Sequence, residues 1–278
     1  MDSTPVKIAE GLNFAEGPLW HPDSYLLVSD TGANCIRKIN MDGTSSIFLE
    51  NSGCAQPAPH ANVEKLGSNG MKWDMTTNRL VMCRQGEHCI ARFDGKNFET
   101  LTASFEGRPF NSPNDLVVSR DGTIYFSDPP YGIEGELLLP AFRQPCAGLY
   151  AWHEGKTKLL FDGLNFPNGV CLSPDEAVLY VSSNHPDEPY IYKAILTDTN
   201  LRFEIFTSNN ADGILSDDEG NIYTANGDYI HKFNAQGVNI FSYFIGEATS
   251  NLTWGGPHKK DLFVTCYHSV WHIPNVLP

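Results

Sequence analysis

The sequence predicts an all-β protein, a six-bladed β-propeller, and three observations support this prediction. A short apolar triplet recurs six times along the 278 residues, at the spacing of about 40–50 residues that is typical of propeller blades. Turn-forming residues precede each triplet, and an earlier strand precedes each turn. No long segment has the 3.6-residue period of an α-helix. We expect residues 1–278 to form a single domain.

The recurring triplets mark one strand of each blade. They are LLV (26–28), LVM (80–82), IYF (124–126), LYV (179–181), IYT (222–224) and LFV (262–264). The turns before them include SRDGT (119–123) and SDDEGN (216–221). Five of the triplets are followed about ten residues later by a further predicted strand, for example CIRKIN (35–40) and YIHKFN (229–234).

The composition limits the classes of function. The net charge is −14, with 19 Lys and Arg against 33 Asp and Glu, which argues against nucleic-acid binding because such proteins need a basic face. No run of about 18 apolar residues predicts a membrane span. The seven cysteines lack metal-site spacing, and several lie in apolar strands. Together with the lack of a signal-peptide pattern, this favours a reduced, cytoplasmic protein.

The first strand of each blade begins with a polar residue, although its next residues are apolar. The six positions are Glu16, Asn69, Asn114, Asn168, Asp212 and Asn251. Because the first strand of a blade lines the central channel, these side chains are predicted to form a ring of oxygens. Such a ring suits a hard cation: calcium fits best, and magnesium or manganese fits the same oxygens. The alternative is that Asn and Asp serve only as turn-formers where the strands begin.

Four segments match the motifs of a known family, in order. They are GLNFAEGPLWHPD (11–23), NSPNDLVVSRDGTIYFSDPPYG (111–132), FPNGVCLSPDEAVLYVS (166–182) and ADGILSDDEGNIYTAN (211–226). The chain resembles the gluconolactonase, SMP-30 and regucalcin-like family, and most closely its bacterial and fungal gluconolactonase branch. The resemblance implies a six-bladed propeller that holds a divalent cation, usually calcium. The family's ligand motifs fall on Glu16, Asn114, Asn168 and Asp212.

The sequence also departs from the family's pattern. Many bacterial relatives have Cys-Glu-His-Gly in the second blade, whereas this chain has Cys83-Arg84-Gln85-Gly86. Leu215 occupies the place where some related propellers have an Asp for a second cation. In the last blade, either Tyr267 or His268 is predicted to face the channel.

The resemblance favours metal-dependent hydrolysis of a lactone, with sugar lactones such as glucono-lactone as substrates. The cation would polarise the carbonyl, and Asp212 would activate water, although a carboxylate beside a cation is a weaker base. Two alternatives remain: an organophosphate (phosphotriester) hydrolase that uses the same metal site, and a non-catalytic calcium-binding scaffold. A serine hydrolase is disfavoured because the chain has no GxSxG.

Substrate contacts are predicted near the mouth of the channel. The candidates are Asn111, Arg108, Asp128, Gln85 and His268. The long loop 50–66 is either a lid or an insertion. The expected partner is a small-molecule lactone, with no nucleic acid and no membrane, and the expected assembly is a monomer or a weak homo-oligomer.

Overall fold

Six four-stranded antiparallel sheets make up most of the chain, in a computed structural model that describes residues 4–55, 66–133, 143–197 and 201–277. Blade 1 contains β2 (Ala15–His21), β3 (Tyr25–Asp30), β4 (Cys35–Ile39) and β5 (Ser45–Glu50). Blade 2 contains β6 (Ser68–Asp74), β7 (Arg79–Arg84), β8 (Cys89–Phe93) and β9 (Phe98–Thr102). Blade 3 contains β12 (Leu116–Val118), β13 (Ile124–Asp128), β14 (Ala147–His153) and β15 (Lys156–Leu164).

The remaining blades repeat this plan. Blade 4 contains β16 (Pro167–Leu172), β17 (Val178–Ser183), β18 (Ile191–Ile195) and β19 (Glu204–Thr207). Blade 5 contains β20 (Ile214–Ser216), β21 (Ile222–Asn226), β22 (Tyr229–Phe233) and β23 (Asn239–Phe244). Blade 6 contains β24 (Thr249–Gly255), β25 (Asp261–Cys266), β26 (Ser269–Ile273) and, from the start of the chain, β1 (Val6–Glu10). The six-bladed propeller predicted from the sequence is confirmed.

The last blade is completed by the first strand of the chain. Strand β1 pairs antiparallel with β26, with Val6 opposite His272 and Lys7 opposite Trp271. This pairing links the two ends of the chain and so holds the ring of blades closed. Within the ranges that the structure describes, the remaining regular structure is a short hairpin, β10 (Ser104–Phe105) with β11 (Arg108–Pro109), and two 3-10 helices, Thr31–Ala33 and Gln85–Glu87. The described residues contain no α-helix.

The predicted triplets are the second strands of the blades, and their apolar side chains fill the space between neighbouring sheets. In blade 3, Phe126 packs against Phe110 and Tyr150 at ring distances of 5.2 and 5.5 Å. All three side chains are buried. The buried cluster that they form with Val81 and Ile90 joins blade 3 to blade 2. Burial of a large apolar side chain contributes about 1.5–3 kcal/mol, so such sheet-to-sheet contacts are a main source of stability.

Second-strand hydroxyl groups also fix the first strand of the next blade. Ser29 Oγ donates to the carbonyl oxygen of Asn69 at 2.8 Å, and Ser127 Oγ to that of Asn168 at 2.7 Å. Ser182 Oγ donates in the same way to the carbonyl oxygen of Asp212, at 3.0 Å. These buried hydrogen bonds hold the backbone at the residues that the sequence analysis singled out.

Candidate active site in the central channel

Five of the six predicted polar positions meet in one cavity at the centre of the propeller. The cavity has a volume of about 220 Å³. Its walls include Glu16, Asn69, Asn114, Asn168 and Asp212 from the first strands, together with Phe14, Gln85, Tyr131, Asn184 and Tyr267. The shared register of the first strands explains this convergence, because equivalent positions of each blade face the same axis.

The sixth equivalent position is Ser250, which lies one residue before Asn251, the residue predicted for this position from the sequence. The amide of Gly70 bonds to the carbonyl of Asn114, and the amide of Gly169 bonds to that of Asp212. In blade 6 the corresponding bond runs from Gly213 to the carbonyl of Ser250. The alignment of Asn251 with the other five was therefore wrong by one residue. We call these equivalent positions the ring: Glu16, Asn69, Asn114, Asn168, Asp212 and Ser250.

Asn251 and Asp115 instead occupy the next position along their strands, which is glycine in the other four blades. The side chain of Asn251 lowers the pKa of Asp115, so the two groups lie close to each other. Because blades 3 and 6 lie opposite each other in a six-bladed propeller, the two side chains face each other across the axis of the channel. We call the pair the floor. Each member is held by backbone amides: Asp115 accepts from Leu116 and Val170, and Asn251 Oδ1 accepts from Leu252 at 2.8 Å.

The glycines make room for the floor. A Cβ atom added at Gly70 would lie 2.5 Å from Asp115 Oδ1, and one added at Gly213 would lie 2.4 Å from Asn251 Oδ1. Both distances are shorter than real Cβ atoms tolerate. A floor of two large side chains therefore requires small residues in the blades beside it.

Negative charge accumulates around the ring. Burial raises the pKa of Glu16 well above its usual range, and the charges of Asp212 and Asp115 raise it further. Burial also raises the pKa of Asp115, although the charge of Lys72 opposes this rise. Three carboxyl groups this close together are stabilised in their ionised form by a bound positive charge.

Hydrogen bonds orient the two ring carboxylates. Asn168 Nδ2 donates to Asp212 Oδ1 at 2.7 Å, which directs the amide oxygen of Asn168 away from that bond. Glu16 Oε2 accepts from the amide of Gly17 at 3.2 Å and from Asn251 Nδ2 at 3.4 Å. The floor therefore contacts the ring directly, through Asn251.

The donor set of the ring fits a hard cation. It offers two carboxylates and three amides, and no imidazole or thiolate, which is the chemistry that calcium and magnesium prefer. The described part of the chain contains no group of three or more His, Cys, Asp or Glu side chains that could hold a metal. A cation in the channel would therefore depend on amide oxygens as well as carboxylates.

A second repeated position builds the upper wall of the cavity. Gln85, Asn184 and Tyr267 each follow the last residue of a second strand, in blades 2, 4 and 6. Each of these residues lies three positions after the end of the apolar triplet of its blade. This spacing is visible in the sequence, and it identifies Asn184 and selects Tyr267 rather than His268. Tyr267 stacks on Phe14 with ring centroids 4.5 Å apart. Gln85 is buried, and its Oε1 has no hydrogen-bond partner among the described residues.

Two of the predicted substrate contacts support the ring from behind. Asp128 accepts hydrogen bonds from the amides of Asn111 at 2.8 Å and Ser112 at 2.7 Å. The side chain of Asn111 donates to the carbonyl oxygens of Asp128 and Cys146. Asp128 and Asn111 are fully buried and lie outside the cavity wall. Their contacts hold the segment that leads into Asn114.

The other two predicted contacts also lie outside the cavity wall. Arg108 is exposed on the β10–β11 hairpin, beside Gln144 in a separate surface depression. His268 is exposed, and its Nδ1 lies 2.9 Å from the carbonyl oxygen of Leu12. Substrate binding by these residues stays a prediction. Residues 56–65, most of the loop predicted as a lid or an insertion, lie outside the described residues.

Comparison with known proteins identifies the family. The family described as SMP-30/Gluconolactonase/LRE-like region matches residues 14–268. The chain belongs to this family. A gluconolactonase from Zymomonas mobilis is 33% identical over 288 residues, covering 96% of this chain and 80% of that protein. The resemblance drawn from the four motifs is confirmed.

Solved structures of other proteins have the same fold. A gluconolactonase from Xanthomonas campestris superimposes with a TM-score of 0.83 at 27% identity, covering 97% of this chain and 89% of that one. A calcium-binding regucalcin from Agrobacterium tumefaciens has a TM-score of 0.72 at 16% identity, covering 95% and 91%. At that identity the likeness concerns the fold alone.

None of the helices in the described residues is long and apolar enough to cross a membrane.

Proposed function

We propose that this SMP-30/gluconolactonase family member is a metal-dependent lactonase that hydrolyses neutral sugar lactones in the central cavity. The observation that carries the proposal is the ring itself, in which two carboxylates and three amides converge on one small cavity. Its similarity to the Zymomonas mobilis gluconolactonase over nearly the whole chain supports the same reaction.

The residues proposed to hold a divalent cation are Glu16, Asn114, Asn168 and Asp212. Calcium is the proposed ion, because amide and carboxylate oxygens together suit it and because its coordination is flexible. When bound, such an ion supplies Lewis-acid polarisation of the lactone carbonyl. The raised pKa of Glu16 agrees with a site whose carboxylates need a positive counter-charge.

Asp212 is proposed as the general base. Asn168 holds one of its oxygens at 2.7 Å, and so keeps the carboxylate oriented within the cavity. Asp212 would accept a proton from water as the water oxygen bonds to the carbonyl carbon. The ring C–O bond of the lactone then breaks, and the proton passes to the departing oxygen. The product is a hydroxy acid, and Asp212 is regenerated.

The lining of the cavity favours a neutral, hydroxyl-bearing substrate. No Lys, Arg or His is among the described residues that line it, and it already holds two carboxylates. An anionic lactone would therefore find no basic side chain among these residues to pair with its charge. Phe14 and Tyr267 offer an aromatic surface, while Asn184 and Gln85 offer amide groups to substrate hydroxyls.

Proton release from a panel of lactones tests the proposal. The panel contains neutral sugar, phosphorylated sugar, aliphatic and aromatic lactones, and a phosphotriester serves as the alternative substrate. Each is measured with calcium, with chelator, and with the Asp212→Ala variant. We expect the neutral sugar lactones to react fastest, and only with both the cation and Asp212 present. Activity that survives chelation and Asp212→Ala would refute the mechanism, and hydrolysis of the phosphotriester alone would refute the substrate class.

A further inference from the structure

The outer strand of blade 5 differs from the outer strands of all the other blades. Strand β23 (Asn239–Phe244) contains no charged residue, and neither does the longer segment 233–246 around it. The outer strands of the other five blades each carry at least one: Glu50 in β5, Glu99 in β9, Lys156 in β15, Glu204 in β19 and Lys7 in β1. Edge strands are normally protected from pairing by such charges.

Large apolar side chains are exposed on both faces of β23. Phe244 lies on one face, with 61% of its surface exposed, and Phe241 lies on the other, with 52% exposed. Ile240, at 51%, lies at a register shift that interrupts this alternation. Val238, just before the strand, and Tyr229, on the adjacent β22, extend this surface. Aromatic residues gather along it, with Phe241 beside Tyr243 at 4.7 Å and Phe244 beside Tyr229 at 5.2 Å.

The backbone of this strand is open on one side. In the described part of the chain β23 pairs only with β22, from Phe244 opposite Tyr229 to Asn239 opposite Phe233. The register shifts once, at Ile240, so the regular pairing runs from Phe241 to Phe244. In an antiparallel pair, alternate residues of an edge strand direct their N–H and C=O groups away from the sheet. These groups form a template for one more strand.

We propose that β23 pairs antiparallel with β23 of a second copy of this chain, forming a two-fold symmetric dimer with a sheet continuous across two blades. A two-fold axis through the middle of the strand makes the edge its own complement, so each copy presents the same residues to the other. The charge distribution favours a second copy of the chain as the partner of β23. Each copy carries a net charge of −14, and the charge-free strip is where two acidic copies can approach with least repulsion.

The size of the surface sets the strength of the dimer. The five exposed side chains offer about 100 Å² each, or about 500 Å² per copy. The total of about 1,000 Å² lies at the lower end of specific protein interfaces. We therefore expect a reversible dimer whose dissociation depends on protein concentration. Added salt should strengthen it, because screening reduces the repulsion between the two acidic copies.

Sedimentation velocity at a series of concentrations tests the dimer, with a matched pair of variants. Ile240→Glu places a charge on β23, and Ile47→Glu places one on β5 at a side chain of nearly equal exposure, 52% against 51%. We expect the wild type and Ile47→Glu to shift from 30.8 kDa towards twice that mass as concentration rises. We expect Ile240→Glu to stay monomeric with an unchanged melting temperature and unchanged activity per chain.

Hydrogen exchange gives a second measure that needs no substitution. Backbone amides of β23 should exchange more slowly at high protein concentration, whereas those of β5 should not change. A monomer at every concentration would overturn the proposal. So would a dimer that Ile240→Glu leaves intact, or a monomer that binds neutral lipid vesicles through β23.

Discussion

The ring and the floor lie one residue apart in the chain, at or just before the start of the first strand of each blade, yet the blades fill the two positions differently. At the ring every blade supplies a polar side chain, and at the floor four blades supply glycine while blades 3 and 6 supply Asp115 and Asn251. Five of the six ring residues line the cavity, whereas the floor uses its polar atoms on backbone amides and on Glu16. Neighbouring residues can therefore have separate tasks, one to bind and the other to support.

Glu16→Gln should have the largest effect on cation binding. The substitution keeps the shape of the side chain but removes one of the two carboxylate charges of the ring, and ligand charge is a main determinant of calcium affinity. We expect the dissociation constant for calcium, measured by titration calorimetry, to rise by about 100-fold. An unchanged affinity would show that the cation binds elsewhere.

Gly213→Ala tests how tightly the floor is packed. The added Cβ would meet Asn251 Oδ1 at 2.4 Å, and overpacking of this kind costs about 1–3 kcal/mol of unfolding free energy. Chemical denaturation measures the loss. Adding Asn251→Gly removes the clashing side chain and should restore part of the stability. If the loss of unfolding free energy in the double variant equals the sum of the losses in the two single variants, the proposed packing contact is contradicted.

Asn251→Ala separates support from binding. It removes the donor to Glu16 Oε2 at 3.4 Å but none of the proposed ligands. Loss of an outer partner of a metal ligand typically weakens binding by about 10-fold or more. We expect about a 10-fold rise in the calcium dissociation constant, clearly less than for Glu16→Gln. An equal or larger effect would contradict the supporting role and place Asn251 among the ligands.

Ser127→Ala should have the smallest effect. Its hydroxyl donates to the carbonyl of Asn168 at 2.7 Å, and loss of one such hydrogen bond costs about 1 kcal/mol. Thermal unfolding should show a slightly lower melting temperature, while the calcium affinity changes less than in Asn251→Ala. A loss of binding without a loss of stability would contradict this supporting role.

Much of the arrangement of strands into blades could be predicted from the sequence, because the burial of strands produces a periodic pattern of apolar residues. In the triplet that contains Phe126 and in its five counterparts, successive side chains alternate between core positions. This pattern marked the second strand of each blade. The outer strands gave no such signal, since strands such as β5 are exposed along most of their length. The pairing of β1 with β26 was also missed, because it joins segments more than 250 residues apart in the chain.

The error at Asn251 has a physical cause. Ser250 and Asn251 are both polar, and a shift of one residue exchanges the ring position for the floor position. In the structure, the hydrogen bond from the amide of Gly213 to the carbonyl of Ser250 fixes the register. The substrate roles of Asp128 and Asn111 stay predictions. The sequence does not distinguish a polar side chain that bonds to buried backbone groups, as both do here, from one that faces a substrate.

The most direct test of the proposed mechanism is the rate of proton release from a neutral sugar lactone at saturating calcium, comparing the wild type with Asp212→Asn. The substitution preserves size and removes the base, so we expect the rate to fall by about 10²–10⁴-fold while the melting temperature stays within a few degrees. A variant that hydrolyses the lactone at a rate near that of the wild type would contradict the assignment of Asp212, and with it the proposed use of the ring.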